Sequence, residues 1–180
     1  MAFSNQDINQ FYTQGRAKDF ARNNLFRILS VNPGRSGTGV NITDTDLVYL
    51  TTANVPSKTI NNVAVPFMGL SFNVPGTTSY PGSAAWNVTF RCNSEYRIRT
   101  LLEQWSTTTF DPTTTTGNYQ LGDTGSLDMA TFSTQGETVL KYRLNGVYCV
   151  TVGEMAYNVT AAGEVVTIQA TLAYQYWQAI

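Results

Sequence analysis

The chain has 180 residues, a formal net charge of −1 and no histidine, and only 13% of its residues are charged. Acids and bases are mixed along it, which argues against a protein that grips nucleic acid through a basic patch. Its length is most simply that of one domain, residues 1–180. The two cysteines, Cys92 and Cys149, lack zinc-site spacing, so we expect free thiols and no metal or other cofactor.

The first third of the chain predicts a short helix and two strands. Residues 1–18 form a polar N-terminal segment, and apolar side chains at helical spacing predict a loosely docked helix over residues 5–18. The first strand is predicted over residues 24–31 and the second over residues 47–52. A glycine-rich exposed loop is predicted between them at residues 33–39.

Residues 58–76 are predicted to form a protruding arm. Apolar residues alternate imperfectly there, and Pro66 and Pro75 interrupt the pattern, which is typical of an edge strand or an extended hairpin. We expect apolar side chains on both sides of this arm. Such a surface is an aggregation hazard unless a partner covers it, and the alternative is an ordinary edge hairpin.

The middle of the chain predicts a strand and a helix. Residues 86–92 alternate apolar and polar side chains, as in a half-buried strand. Asn93 is the expected N-cap of a helix with an apolar stripe that ends at Trp105 and packs on a sheet. Residues 106–118 are rich in threonine and low in complexity, so we expect a long mobile loop.

The last third predicts strands only. Residues 127–132 and 138–152 have strand patterns, and Gly146 is expected to allow a bulge or a close backbone approach. Residues 165–177 alternate so regularly that a long amphipathic strand, tied into a sheet, is predicted near the end of the chain.

Several of these segments, taken in order, resemble the tail tube protein of contractile-tailed bacteriophages of the T-even type, a family related to inner-tube proteins of contractile injection systems. The resembling segments are residues 19–26, 65–69, 86–90, 101–105, 152–155 and 172–177. Two features depart from the family pattern: Asn23 stands where a proline is expected, and the loops at 33–46 and 106–118 look like insertions.

The resemblance implies a mainly β fold, an antiparallel β-sandwich or barrel with one flanking α-helix and a protruding hairpin arm. It also implies hexameric rings, stacked head-to-tail into a tube whose lumen lets phage DNA pass without specific binding. The implied partners are further copies of the chain, the tail sheath, the baseplate and the tail-terminator protein. The implied location is the virion tail, after assembly in the host cytoplasm. No apolar run is long enough for a membrane anchor, and none is expected.

The sequence places the contact between rings on the arm and on the N-terminal segment. Low charge and abundant aromatic residues suit large interfaces. The predicted subunit-interface residues are Phe20, Arg22, Val65, Pro66, Phe67, Met68 and Phe72.

Three other functions are open at the level of sequence. The tube of a headless contractile injection system, such as a tailocin or a secretion tube, fits the same pattern. A carbohydrate-binding β-sandwich would use exposed tryptophan and tyrosine rings as sugar platforms. An enzyme is not expected, because histidine is absent, the carboxylates are scattered and no nucleophile lies in a recognisable turn.

Overall fold

The structure is a computed structural model, and it describes residues 8–160 and 163–180. Its helices are α1 (Ile8–Lys18), α2 (Asp44–Leu47) and α3 (Arg97–Thr109), with single 3₁₀ turns at Arg35–Gly37 and Leu121–Asp123. Its strands are β1 (Phe26–Asn32), β2 (Leu50–Ala53), β3 (Thr59–Phe67), β4 (Leu70–Ser79), β5 (Trp86–Arg91), β6 (Gly125–Phe132), β7 (Thr138–Val152), β8 (Thr167–Ala173) and β9 (Tyr176–Ala179). The predicted mainly β class is confirmed.

The body of the molecule is one seven-stranded antiparallel sheet that bends along β7. The strand order is β1-β6-β7-β8-β5-β2, and β9 also pairs with β7. The first part of β7 pairs with β6 and β9, whereas its last part, from Tyr148 onwards, pairs with β8. The sheet therefore folds over itself as an open sandwich, with a separate two-stranded sheet formed by β3 and β4.

Gly146 lies where β7 bends. Its φ is +73°, and a Cβ added to it would overlap the side chain of Gln175. The expected close approach at Gly146 is confirmed, since only glycine takes this conformation without strain and without that overlap. The bend also explains why the single strand predicted over 165–177 is wrong: Tyr174 and Gln175 interrupt it opposite Gly146, and β9 resumes the pairing with β7.

Helix α3 closes the core against β7. Its predicted apolar stripe is buried, and Trp105 donates its indole N–H to the Ser36 hydroxyl, at 3.3 Å. The core cluster includes Ile98, Leu101, Leu102 and Trp105 from α3 with Leu127, Met129, Leu144, Val147, Ile168, Val88 and Phe90 from the strands.

Both ends of α3 differ from the prediction. The helix begins at Arg97, after Tyr96 with a φ of +52°, although Asn93 Oδ1 still accepts the backbone N–H of Arg97 at 3.1 Å. It continues to Thr109, so the first part of the expected loop at 106–118 is helical. The hydroxyls of Thr108 and Thr109 donate hydrogen bonds to carbonyls one turn back in the helix. These bonds satisfy the hydroxyl groups of threonines that composition alone would assign to a loop.

The second strand starts later than predicted because a helical turn precedes it. Asp46 accepts hydrogen bonds from the backbone N–H and the hydroxyl of Thr43, at 2.9 and 2.7 Å. These hydrogen bonds to the Asp46 carboxylate stabilise the start of α2, so Leu47 ends a helix and β2 begins at Leu50.

The N-terminal helix is confirmed from Ile8 to Lys18, and none of its residues is buried. The part of the prediction that concerns residues 1–7 lies outside the described residues. Because α1 has no buried residue, it adds little to the core and leaves an apolar surface uncovered.

A candidate assembly surface

The hairpin of β3 and β4 stands off the body of the molecule. Its ladder runs from Thr59 opposite Ser79 to Phe67 opposite Leu70, and every residue in it except Ser79 is exposed. Nine residues of strand span about 30 Å. The predicted arm at 58–76 is therefore a hairpin that extends three residues further along its second strand, to Ser79.

The large apolar side chains of the hairpin lie on one face. Directly opposed residues of an antiparallel pair point the same way, and every second residue along a strand does too. The register opposes Val63 to Val74, Val65 to Phe72 and Phe67 to Leu70. These side chains, which we call the hairpin face, are 45–64% exposed.

The opposite side of the hairpin carries smaller residues, some apolar and some polar. Its pairs are Ala64 with Asn73 and Pro66 with Ser71. Apolar residues therefore occur on both sides, as expected, but the tight turn sets a register that gathers the large side chains on one side. A one-residue slip would have mixed them.

The tip of the hairpin is a two-residue turn at Met68 and Gly69. Their φ values are +48° and +80°, as in a type I′ turn, in which asparagine is the usual first residue. Methionine in this conformation costs about 1 kcal/mol relative to a residue that favours it. Met68 is also 88% exposed, so the chain holds a strained apolar side chain at the outermost point of the arm.

The base of the hairpin is tied to the last strand. Trp177 donates its indole N–H to the Ser57 carbonyl at 3.0 Å, and its ring makes edge contacts with Tyr142 and Tyr80, at 5.3 and 6.2 Å between centroids. The Ser57 hydroxyl in turn donates to Pro81, at 3.0 Å. These contacts hold the start and end of the arm together, so the arm projects in a defined direction.

No charged residue occurs between residues 59 and 90. The hairpin, and all of β5 except its last residue Arg91, therefore present only neutral groups. A partner for this surface gains from apolar contact and neutral hydrogen bonds, and opposite charge contributes nothing to it.

The N-terminal segment carries a second uncovered apolar patch. Phe20 folds back on α1 and stacks on Phe11, with 5.3 Å between ring centroids, and its ring atoms would lie 2.8 Å from a Cβ on Gly15. Asp19, with a φ of +51°, makes this reversal, and its carboxylate accepts the Phe20 N–H at 2.7 Å. That hydrogen bond and one with Thr134 lower the pKa of Asp19.

The exposed apolar residues of this region form one surface. We call Ile8, Phe11, Tyr12 and Phe20 the α1 patch; all of them are exposed.

The structure separates the predicted interface residues into groups. It brings Val65, Phe67 and Phe72 together on the hairpin face and places Met68 at the tip. Pro66 lies on the opposite side, and Phe20 and Arg22 are exposed just after the N-terminal segment. Their contact with another subunit stays a prediction.

Three members of the hairpin face, Val63, Leu70 and Val74, were absent from the predicted interface. Strict alternation counted outward from the Met68–Gly69 turn would have included them. The two prolines interrupt the apolar pattern in the sequence, and this interruption hides the alternation that continues through the turn.

The buried carboxylates serve the fold. Asp128 receives two hydrogen bonds from the Arg143 guanidinium, at 2.7 and 2.8 Å, and Lys141 lies 3.6 Å away. The Arg143 hydrogen bonds, opposed by burial, keep the pKa of Asp128 below its usual value. Burial alone would raise the pKa of Asp46, but hydrogen bonds from Thr43 and Arg97 outweigh it and lower that pKa.

The two thiols are not poised for chemistry. Burial raises the pKa of Cys149 to about 11 and also raises the pKa of Cys92. A thiol with a raised pKa is a poor nucleophile at neutral pH. Within residues 8–160 and 163–180, no cluster of three potential metal ligands occurs. The helices among these residues are also too short or too polar to cross a membrane.

The tryptophans do not form open platforms. Trp86 and Trp105 belong to the core, and Trp177 is half-buried between Tyr80 and Tyr142. This arrangement gives no support to a sugar-binding face built on tryptophan.

The chain is similar in structure to components of contractile injection systems. One similar structure is the sheath-tube complex, in the extended state, of the extracellular contractile injection system PVC; its TM-score is 0.52 at 12% identity, covering 93% of this chain and 97% of that one. Another is the tube-terminating cap of the anti-feeding prophage, with a TM-score of 0.53 at 15% identity, covering 89% and 91%. No protein-family model and no curated protein sequence matches the chain.

These likenesses define a fold: the chain has the fold of the tube proteins of contractile injection systems. The relation to tube proteins predicted from the sequence is confirmed at this level. Its attribution to a T-even type phage stays a prediction.

Proposed function

We propose that the chain is the subunit of the inner tube of a contractile tail, a structural protein without enzymatic activity. The observation that carries this proposal is the hairpin face, a row of large apolar side chains that the described chain leaves exposed at the end of a long arm. A monomer that exposed such a patch would aggregate, whereas a subunit of a polymer buries it.

Six subunits would close into a ring, and rings would stack head-to-tail. In the described sheet, β1, β2 and β9 each pair on one side only, and strand edges of this kind are covered when neighbouring subunits meet in a closed ring. A contact between two different surfaces closes into a ring when its rotation permits, and otherwise continues as a filament. In this scheme the hairpin face and the N-terminal segment, together with Phe20 and Arg22 just after it, hold one ring to the next.

The assembled tube would lie inside a sheath and be limited by a baseplate and a terminator. Fold similarity to a sheath-tube complex and to a tube-terminating cap supports partners of these kinds. In a phage the tube would be part of the virion tail, assembled in the host cytoplasm, and its lumen would let DNA pass without specific binding. The chain's weak net charge suits a wall that does not hold nucleic acid.

The tube of a headless contractile injection system is the second candidate. The similar structures come from PVC and the anti-feeding prophage, and the first of these is described as an extracellular contractile injection system. Capsid and terminase genes beside the coding gene would support the phage function, and their absence would support the headless machine.

Substitution on the two sides of the hairpin tests the proposal. Phe67→Asp places a charge on the hairpin face, and Ser71→Asp places the same charge on the opposite side of the same ladder. We expect the wild-type protein and Ser71→Asp to form rings and hollow tubes in negative-stain electron microscopy over a concentration series. Phe67→Asp should stay a folded subunit with unchanged thermal unfolding, because the arm lies off the core. Tubes of normal length from Phe67→Asp would refute the role of the hairpin face.

A further inference from the structure

The register of the hairpin determines which backbone groups face outward. Phe67 and Leu70 flank a two-residue turn and exchange hydrogen bonds, so Pro66 and Ser71 form the next, non-hydrogen-bonded pair. Continuing the alternation, Ala64 with Asn73 and Asn62 with Pro75 are also non-hydrogen-bonded pairs. Residues in such pairs direct their N–H and C=O groups away from the partner strand, towards the open edge.

Both prolines of the hairpin occupy outward-facing positions. Between the register shift at Ile60/Asn62 and the turn, the outward nitrogens on the β3 edge belong to Asn62, Ala64 and Pro66, and those on the β4 edge belong to Ser71, Asn73 and Pro75. Proline has no N–H, so each edge lacks one donor, and its ring stands where an added strand would approach. The inward-facing positions, which hold the hairpin together, contain no proline.

This placement of the prolines removes no hydrogen bond from within the hairpin, and it makes both open edges poorer donors to an added strand. The two prolines could have fallen on hydrogen-bonded positions, where each would have removed a bond within the ladder. The sheet of β3 and β4 has no third strand among the described residues, so both edges would otherwise offer an unbroken row of donors to another chain.

We propose that the hairpin docks onto a second copy of this chain through its apolar face, and that Pro66 and Pro75 close its two edges against strand addition. The choice of a second copy rests on the proposed function. It is supported by the two unlike apolar patches of the described chain, the hairpin face and the α1 patch, since unlike patches form head-to-tail contacts. The neutral character of residues 59–90 fits an apolar counterpart rather than a charged one.

The test of this proposal restores the backbone N–H donors that the hairpin lacks at Pro66 and Pro75. The double variant Pro66→Thr with Pro75→Thr keeps strand-favouring residues and gives each edge its third outward N–H. The matched control is Pro112→Thr, which removes an exposed proline outside the hairpin. Agitated subunit solutions are followed by thioflavin T fluorescence and by pelleting. We expect the double variant to form thioflavin T-positive aggregates faster than wild type. Each restored hydrogen bond should increase the rate about tenfold, and the control should aggregate at the wild-type rate.

Electron microscopy of the same samples separates this proposal from the proposed function. Wild-type tubes together with fast strand-type aggregation of the double variant support both. Tubes from both proteins with equal thioflavin T kinetics would overturn the edge-closing role and leave the tube function intact. No tubes from wild type, with fast aggregation of the double variant, would overturn the tube function and with it the docking onto a second copy, and would leave the edge-closing role intact. If the double variant does not fold, the single variants Pro66→Thr and Pro75→Thr, each opening one edge, replace it.

Discussion

At the scale of single residues, Asp128 shows how a charge-poor chain uses the few charges it has. Its side chain is 9% exposed, lies in β6 and is bonded twice by Arg143 from the neighbouring β7. The carboxylate therefore fixes the register of these two strands from their outer side. A buried acid of this kind adds stability only while it is ionised.

We expect Asp128→Asn to lower the free energy of unfolding by about 1–3 kcal/mol at pH 7, because it removes charge-assisted hydrogen bonds and leaves Arg143 unpaired. The pKa of Asp128 is lowered in the folded protein, so its contribution is present above the unfolded value of about 3.9 and is lost as the pH falls through the folded value. Urea unfolding at a series of pH values should show wild type and variant converging below about pH 4. Glu137→Gln, which changes an exposed carboxylate in the turn between β6 and β7, is the control, and a gap that persists at low pH would contradict the assignment.

Gly146 shows what a single residue can and cannot predict. The sequence indicated a close backbone approach there, and the overlap with Gln175 confirms it. The consequence was not predicted: the bend at Gly146 divides the last strand at Tyr174 and Gln175, which lie far along the chain from the glycine. A positive φ can be inferred from a glycine, but its opposing residue depends on the register between strands.

At the scale of elements, the hairpin carries an unusual turn. Asparagine at the first position of a type I′ turn would relieve the strain that Met68 bears with a φ of +48°. Strain that is retained at an exposed tip points to a role for the side chain.

We therefore expect Met68→Asn to stabilise the hairpin locally and to weaken ring stacking. Amide hydrogen exchange of Val65 and Phe72, which face each other in the ladder, should slow by about fivefold if about 1 kcal/mol of strain is removed. Tubes of this variant should be shorter or require higher protein concentration. Met68→Leu keeps an apolar tip and should assemble like wild type; normal assembly of Met68→Asn would show that the tip makes no contact.

Patterns confined to one element were predicted well, and patterns that cross elements were not. The apolar stripe of α3 and the alternation of β5 follow from local spacing and were confirmed. The extension of α3 to Thr109 depends on hydroxyls that bond back to the helix, and the start of β2 depends on a cap between Thr43 and Asp46. Composition does not distinguish such hydrogen bonds from those of a loop.

At the scale of the whole molecule, the sequence identified the fold through several weak segments in the right order, and the structure confirms it as a tube-protein fold. The sequence pattern did not separate the two faces of the arm: Val65, Phe67 and Phe72 lie on the hairpin face, whereas Pro66 lies on the opposite side, and their contact with another subunit stays a prediction. Whether a side chain belongs to one side of the hairpin depends on the turn at Met68 and Gly69, which sets the register of the whole ladder.

The neutral arm predicts how assembly responds to salt and temperature. Residues 59–90 contain no charge, so stacking through the hairpin face should have a critical concentration that changes less than about twofold between 50 and 500 mM NaCl, where charged contacts are strongly screened. Because apolar contacts weaken on cooling and strengthen with excluded salts, the critical concentration should fall from 10 to 30 °C and in sodium sulfate at equal ionic strength. Sedimentation, which separates assembled tubes from free subunits, measures this critical concentration. Met68→Lys adds one charge at the tip and should make assembly depend on salt. A wild-type critical concentration that rises steeply with NaCl would mean that rings join through the charged residues of the bent sheet, with the hairpin face in a secondary role.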